Sequence, residues 1–134
     1  MKARDNKMIA SEVKRILIVD DDIEMVNMMS EILCRTPLQI VLAHDGVQAI
    51  EKSKKERIDL ILLDIRMPFF SGFWFCDAFK QRPETKDVPV VMVSALLDEE
   101  GIRKAKDAGA TDYLKKPFQP SELIEMVHKY LPPT

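Results

Sequence analysis

The sequence predicts an α/β domain built on a doubly wound parallel sheet. Short apolar runs alternate along the chain with stretches in which apolar residues recur at helical spacing. The run LILL at residues 60–63 has no polar alternation, which is typical of a central strand that is covered on both faces. Five such strands, each followed by a helix, imply a parallel sheet with helices on both faces.

Each element has its own signal in the sequence. The strands are predicted at apolar runs over residues 16–19, 38–43, 60–63, 88–93 and 112–114. The first helix starts at the N-cap Asp22 and keeps its apolar positions to Leu33, and a lysine-rich second helix follows the turn at 44–46. The remaining helices are predicted from about residue 72 to Pro83, over 98–108 and over 121–131.

Length and composition predict one globular domain of ordinary size. The chain has 134 residues, of which 46% are hydrophobic and 31% charged, so one real core can form. The formal net charge of -2 favours neither nucleic acid nor an anionic membrane as a direct partner. We expect residues 1–14 to be a flexible lead and residues 15–134 to be the domain.

The chain shows no signal for export or membrane insertion. The N-terminus has no apolar run of signal-peptide length, and nothing approaches the roughly 20 apolar residues of a membrane span. Cys34 and Cys76 lie far apart in apolar helical patterns, which predicts two buried free thiols rather than a disulfide. Together these features predict a cytoplasmic protein.

Chemically active side chains stand at the predicted carboxyl ends of four strands. Asp20 and Asp21 follow the first strand, Asp64 follows the third, Ser94 the fourth and Lys116 the fifth. In open parallel sheets, ligands bind in the crevice beyond these strand ends. We therefore expect the side chains to converge on one site, although each alone is typical of an ordinary helix cap or surface residue.

The residue types in this set suit metal-assisted phosphoryl transfer. Crowded carboxylates repel one another unless a cation lies among them. Oxygen-only ligands suit Mg2+, and the sequence has no cluster of histidine and cysteine of the kind that zinc needs. A carboxylate beside Mg2+ can attack phosphorus, while an ammonium and a hydroxyl contact the phosphoryl oxygens.

Four segments carry a family resemblance. They are ILIVDDD at residues 16–22, LILLDIRMP at 60–68, VVMVSA at 90–95 and AGATDYLKKPF at 108–118. With them the chain resembles the receiver domains of response regulators in two-component signal transduction, over roughly residue 14 to the C-terminus. The resemblance implies a (βα)5 flavodoxin-like fold with strand order 2-1-3-4-5 and a signalling role that phosphorylation activates.

The resemblance implies that Asp64 is the phosphoacceptor. It also implies that the carboxylates of Asp20, Asp21 and Asp64 and the backbone carbonyl of Arg66 hold Mg2+, whereas Asp22 caps the first helix. The phosphoryl group would come from a histidine kinase or phosphotransfer protein and would change the surface for an output protein or domain that the sequence does not identify. The domain would assist its own phosphorylation and dephosphorylation without being a turnover enzyme.

The resemblance further implies how the phosphoryl group is sensed and how long it persists. Lys116 is expected to pair with one phosphoryl oxygen and Ser94 to move toward another. Tyr113 would turn inward with Ser94, although its position equally suits an ordinary half-buried strand residue. Arg66 and Leu96 occupy positions that tune dephosphorylation in the family, and here they predict a long-lived phosphorylated state unless both side chains swing into solvent.

Aromatic residues near the third helix depart from the family pattern. Helical spacing sends Phe75 and Phe79 inward, whereas the match to the family places Trp74 outward and Phe69 in the preceding loop. Phe69 and Trp74 therefore predict a contact surface for a kinase, a phosphotransfer domain or a second copy of the chain in a homodimer. The alternative is that these aromatics fold back over the core.

Two other functions are left open by the residues. A haloacid-dehalogenase-type phosphatase uses the same residue types on a related sheet, with its nucleophile in a DxD pattern that residues 20–22 can mimic. The short chain, the lack of a cap insertion and the lack of an acidic pair after Lys116 count against it. A pseudo-receiver would be a docking module that is never phosphorylated, and the complete set of acids, hydroxyl and lysine counts against that.

Overall fold

The computed structural model describes residues 13–66, 71–95 and 97–133, in which five strands alternate with five helices. The strands are β1 (Arg15–Val19), β2 (Gln39–Ala43), β3 (Leu60–Leu63), β4 (Val90–Ser94) and β5 (Asp112–Lys115). The helices are α1 (Ile23–Leu33), α2 (Gly46–Lys55), α3 (Gly72–Gln81), α4 (Glu99–Asp107) and α5 (Pro120–Tyr130). None of these helices has the length and apolarity of a membrane span.

The strands form one parallel sheet in the order β2-β1-β3-β4-β5. This observation confirms the predicted fold class and strand order. β1 lies between β2 and β3, so that Ile18 stands opposite Leu42 on one side and Leu62 on the other. The direction of winding reverses between β1 and β3, and the carboxyl ends of those two strands therefore border the crevice in which such sheets bind ligands.

Helices cover both faces of the sheet, as predicted. One face packs against α2, α3 and α4, and its buried helix residues include Ala49, Phe75, Phe79 and Ala105. The other face packs against α1 and α5, and its buried helix residues include Val26, Met29, Leu33, Leu123 and Val127. The side chains of β3 alternate between the two cores and all four are buried, which explains why its sequence shows no polar alternation.

The first four helices begin at side chains that accept a backbone hydrogen bond. Asp22, Asp45, Ser71 and Asp98 each accept one from the N–H three residues further along the chain. These caps satisfy N–H groups that have no partner within the helix. The predicted N-cap at Asp22 is confirmed. All four caps lie at the carboxyl edge of the sheet, in the connections that lead from a strand to the helix that follows it.

A lysine covers part of the outer edge of β2. The carbonyl of Ala43 accepts a hydrogen bond from the N–H of Asp20 at 3.1 Å, on the β1 side. Its neighbour Leu42 therefore directs its carbonyl away from β1, because bonding alternates along a strand. The Nζ atom of Lys52, in α2, donates a hydrogen bond to that outward carbonyl.

Two differences from the sequence-based expectations have a physical explanation. β4 begins at Val90 rather than residue 88, because Pro89 has no N–H to donate, although its carbonyl accepts the Ile61 N–H at 3.0 Å. Cys76 is buried as predicted, but Cys34 is exposed. Cys34 is the C-cap of α1, and at this position the apolar helical spacing no longer applies because the helix has ended.

Candidate functional site

The carboxyl edge of the sheet collects the residues that the sequence singles out. Asp20 follows β1, Asp64 follows β3, Ser94 ends β4 and Lys116 follows β5. Backbone hydrogen bonds extend the sheet past the strand ends. The N–H of Asp64 donates to Val19 at 3.0 Å, and the N–H of Lys116 donates to Ser94 at 3.0 Å. These side chains therefore project from backbone that neighbouring strands hold in place.

Three carboxylates lie close enough together to share one cation. One oxygen from each of Asp20, Asp21 and Asp64 lies within 4.8 Å of the other two. Asp20 and Asp64 are buried, whereas Asp21 is exposed. The set offers only oxygen ligands and is open to solvent at one member, which fits a hard cation such as Mg2+ that keeps some of its waters.

Both oxygens of Asp20 accept hydrogen bonds. Its Oδ1 accepts the N–H of Asp22 at 2.9 Å, and its Oδ2 accepts from the ammonium of Lys116 at 2.9 Å. The same ammonium lies 3.8 Å from Oδ1 of Asp64. The carboxylate of Asp22 accepts a hydrogen bond from the N–H of Met25 at 3.2 Å, so the third acid of the DDD run caps α1.

Asp64 has an unusual protonation equilibrium. Its Oδ1 accepts the N–H of Arg66 at 3.2 Å. Burial, and then the negative charge of Asp20, raises the pKa of Asp64 from 3.8 to about 7, while Lys116 opposes the shift. A carboxyl group with a raised pKa, set among other acids in a crevice, is typical of a functional site. A cation bound among the carboxylates would lower this pKa.

Residues 16–128, which contain this whole arrangement, match the family model described as the response regulator receiver domain. This chain belongs to the receiver domain family of response regulators. Membership of this family means that the chain is a receiver domain of the two-component type, and it argues against the haloacid-dehalogenase alternative. The acidic cluster of this receiver domain is compatible with aspartate phosphorylation and with Mg2+.

The receiver domain is similar in sequence to one half of longer regulators. It is 37% identical over 114 residues to the phosphate regulon transcriptional regulatory protein PhoB of Klebsiella pneumoniae, a match that covers 85% of this chain and 50% of PhoB. The receiver domain thus spans about half the length of the curated relatives that it matches.

Solved structures show the same fold at similar size. The chemotaxis protein CheY4 of Vibrio cholerae superposes with a TM-score of 0.85 at 32% identity, covering 88% of this chain and 98% of CheY4. The receiver domain of the sensor histidine kinase PA1611 from Pseudomonas aeruginosa superposes with a TM-score of 0.81 at 26% identity, covering 89% and 98%. That domain carries a magnesium ion coordinated in its active site cleft.

Ser94 and Tyr113 lie on neighbouring strands of the receiver domain. Ser94 is fully buried at the end of β4, opposite Lys115. Tyr113 is half-buried on β5, opposite Met92, and packs against the core on the α2–α3–α4 face. Burial, and then the charge of Asp112, raises the pKa of the Tyr113 phenol. The movement of Ser94 toward a phosphoryl group and the inward turn of Tyr113 stay predictions.

The residues named for rate tuning are only partly described. Arg66 is exposed beside Asp64 and forms an isolated antiparallel bridge with Ser71 across the β3–α3 loop. Leu96 lies outside the described residues. The side chain of Arg66 is therefore at the surface next to Asp64, where the predicted effect on phosphoryl lifetime would act.

Of the two residues of the predicted partner surface, Phe69 and Trp74, the structure describes only Trp74. Phe69 lies outside the described residues, whereas Trp74 is 55% exposed. The Trp74 ring stands edge-on to Phe75, with centroids 5.0 Å apart and planes at 90°. Phe75 and Phe79 are buried, as helical spacing predicts. Trp74 is thus not folded back over the core, but what it contacts in a partner stays a prediction.

One feature of the receiver domain site is absent from the sequence-based expectations. The sequence assigns Lys116 to a phosphoryl oxygen and gives no reason to expect its 2.9 Å contact with Asp20. The only feature of the sequence that points to this contact is that opposite charges follow β1 and β5 at the same edge of the sheet. Because β3 and β4 lie between those strands, sequence alone cannot show that the lysine reaches so far.

Proposed function

We propose that this receiver domain accepts a phosphoryl group on Asp64 in a Mg2+-dependent reaction. The metal would be held by the carboxylates of Asp20, Asp21 and Asp64 and by the backbone carbonyl of Arg66. The observation that carries the proposal is the convergence of three carboxylates within 4.8 Å, with the ammonium of Lys116 beside two of them. Asp64 combines burial, a raised pKa and a position among charged partners.

The proposed chemistry is a single displacement at phosphorus. A carboxylate oxygen of Asp64 attacks the phosphorus atom, and the bond from phosphorus to the donor's nitrogen or oxygen breaks. The leaving group keeps the electron pair, and Asp64 becomes an acyl phosphate. Mg2+, when bound, supplies positive charge that offsets the charge on the phosphoryl oxygens. Lys116 pairs with one of these oxygens, and the hydroxyl of Ser94 donates to another.

The protonation of Asp64 explains why the reaction needs a cation. The attacking group must be a carboxylate, but burial and the charge of Asp20 raise the pKa of Asp64 to about 7. At neutral pH a substantial fraction of the acceptor is therefore protonated when no metal is present. Positive charge among the three acids favours the carboxylate form and so prepares the nucleophile.

Mass spectrometry of the intact protein after incubation with acetyl phosphate and Mg2+ tests the proposal. One phosphoryl group should be added per chain, and EDTA should prevent the addition. Asp64→Asn should abolish it, whereas Asp22→Asn, which removes a neighbouring acid that caps α1, should still be labelled. Labelling of the Asp64→Asn variant at another residue would overturn the assignment of the acceptor.

The same experiment separates the alternatives. A pseudo-receiver would not be labelled by acetyl phosphate under any of these conditions. A phosphatase would turn over p-nitrophenyl phosphate repeatedly, whereas a receiver domain would show stoichiometric, self-limited labelling. We propose stoichiometric, self-limited labelling, in which the domain assists its own phosphorylation and dephosphorylation without acting as a turnover enzyme.

We further propose that the physiological donor is a histidine kinase or a phosphotransfer protein. Phosphorylation would change the α4–β5–α5 surface through Ser94 and Tyr113, and a downstream output protein or domain would recognise the changed surface. Phe69 and Trp74 would form a contact surface for the donor or for a second copy of the chain. The receiver domain itself is not proposed to bind nucleic acid, since its net charge is -2. Two free cysteines support a cytoplasmic location.

A further inference from the structure

Lys116 contacts two of the three carboxylates that are proposed to hold Mg2+. Its Nζ atom lies 2.9 Å from Oδ2 of Asp20 and 3.8 Å from Oδ1 of Asp64. The side chains of Lys116, Asp20 and Asp64 are 16%, 3% and 8% exposed, so solvent screens these charges weakly. The closer partner of the lysine is thus Asp20, which is proposed only as a metal ligand, and not Asp64, which is proposed both as a metal ligand and as the phosphoacceptor.

A cation held by the three carboxylates would meet this ammonium. Oδ2 of Asp20 already accepts a hydrogen bond from Lys116, and Oδ1 of Asp20 accepts one from the N–H of Asp22. Because the carboxylate oxygens of Asp20, Asp21 and Asp64 lie within 4.8 Å of one another, any ion among them is a close neighbour of Lys116. Two positive charges that lie close together in a weakly screened site repel each other.

We propose that Lys116 competes with the metal ion for Asp20. When Asp20 becomes a metal ligand, it gives up its hydrogen bond with Lys116, and the ammonium keeps Asp64 as its partner. Lys116 therefore lowers the affinity for Mg2+, and the metal in return directs the ammonium toward the residue that is phosphorylated. This inference rests on the proposed function for the location of the metal, and it adds a coupling between metal binding and the position of Lys116.

A supporting role for Lys116 would have the opposite sign. If the lysine oriented Asp20 for metal binding, its removal would weaken binding. Asp20 has other supports, however. Its Oδ1 is held by the N–H of Asp22 at 2.9 Å, and its own N–H donates to Ala43 at 3.1 Å. The position of Asp20 is therefore fixed by backbone on both sides, and the lysine contributes mainly its charge.

Isothermal titration calorimetry with Mg2+ distinguishes the two roles. Lys116→Met removes the charge and keeps a long side chain, and we expect it to lower the dissociation constant by about fivefold or more. Lys115→Met is the matched control, since it removes one charge from the preceding residue, which is exposed at the end of β5. We expect that control to stay within about twofold of the wild type because solvent screens an exposed charge. Lys116→Arg keeps the charge and should not bind Mg2+ more tightly than the wild type.

A second readout needs no substitution at the site. In the wild-type domain, the side-chain 15N resonance of Lys116 should shift when Mg2+ is added, because the ammonium exchanges its partner. Unchanged or weaker Mg2+ binding by a folded Lys116→Met variant would overturn the proposal, and so would a Lys116 resonance that does not respond to saturating Mg2+.

These outcomes are separable from those of the phosphorylation experiment. If acetyl phosphate labels no residue but the order of Mg2+ affinities is as stated, the acceptor assignment fails and the competition stands. If labelling at Asp64 succeeds but Lys116→Met binds Mg2+ no more tightly, the proposed function stands and the competition fails. A wild-type domain that does not bind Mg2+ overturns both.

Discussion

The ring of Phe75 occupies the space that a side chain at Gly46 would need. A Cβ atom built on Gly46 would lie 1.8 Å from Cζ of Phe75, far inside any contact that real Cβ atoms make. The two residues join the first turns of α2 and α3, which begin at the carboxyl edge of the sheet. The ring cannot move away easily, because Phe75 is almost completely buried in the core below these turns.

Gly46→Ala is therefore expected to destabilise the domain by about 1–3 kcal/mol, as overpacking does in cores. Helix propensity alone would predict the opposite sign, since alanine is favoured over glycine within a helix. Urea unfolding measures the difference. In a Phe75→Leu background the cost of Gly46→Ala should shrink, because the smaller side chain leaves room. An equal cost in both backgrounds would show that the ring is not the cause.

Asp64 should destabilise the metal-free fold increasingly as pH rises. The pKa of Asp64 is about 7 in the folded domain, against an ordinary value of 3.8. Between these values the folded state binds more protons than the unfolded state, so stability falls as pH rises through this window. Below pH 4 the penalty is absent, because both states are then protonated.

Asp64→Asn removes that penalty and should be more stable than the wild type at pH 8 by about 1–3 kcal/mol. Urea unfolding in EDTA at pH 4.5, 6 and 8 follows the difference, which should widen with pH. Glu51→Gln, which removes an exposed carboxylate from α2, is the control. A difference between Asp64→Asn and the wild type that stays constant from pH 4.5 to 8 would contradict the raised pKa.

Beryllofluoride with Mg2+ should change the domain well beyond the loops around Asp20 and Asp64. Ser94 is fully buried at the end of β4, and Tyr113 packs half-buried on the next strand. If both move when the phosphoryl mimic binds, amide chemical shifts should change in α4, β5 and α5, since a ligand favours the state in which it makes more contacts. Ser94→Ala should shrink the shifts in α4 and β5. Shifts confined to the loops around Asp20 and Asp64 would rule out the switch.

The sheet and the location of the site follow from the sequence because both depend on local pattern. Each strand is an apolar run that ends at a polar residue, and parallel strand ends must share one edge. The contacts of Phe75 with Gly46 and of Lys116 with Asp20 do not follow from it. They depend on how far a side chain reaches across packed elements, and spacing along the chain contains no such information. The same limit applies to Cys34, whose exposure depends on where α1 ends.

The phosphorylated state should be long-lived. Arg66 is exposed beside Asp64, where its charge can stabilise the bound phosphoryl group in the ground state, an effect that does not accelerate hydrolysis. The apolar Leu96 cannot orient a water as an acid could. Phosphate release from Arg66→Asn and Leu96→Glu should therefore be at least about threefold faster than from the wild type. Arg57→Asn, near the amino end of β3, should leave the rate unchanged. Equal or slower release from both site variants would refute the idea.

Trp74 should matter for a protein donor but not for a small one. Its ring is 55% exposed at the start of α3 and has no place in the proposed chemistry. Trp74→Lys should keep the rate of labelling by acetyl phosphate within about twofold of the wild type, since the phosphoryl site is untouched. Transfer from a phosphotransfer protein, or self-association measured by sedimentation, should weaken by about fivefold or more, as for a truncated aromatic anchor. If neither changes, the surface around Trp74 has no role in binding.

The hydrogen bond from Lys52 to Leu42 matters most when molecules are crowded together. An open sheet edge is a template on which a strand from another molecule can add, and repeated addition builds fibrils. In this domain a strand that docked on β2 would have to displace the Lys52 ammonium from the Leu42 carbonyl. The displaced ammonium would then lie next to the backbone of the incoming strand. Strand addition at this edge is disfavoured by a side chain of the domain itself, and the protection holds without any partner protein to cover β2.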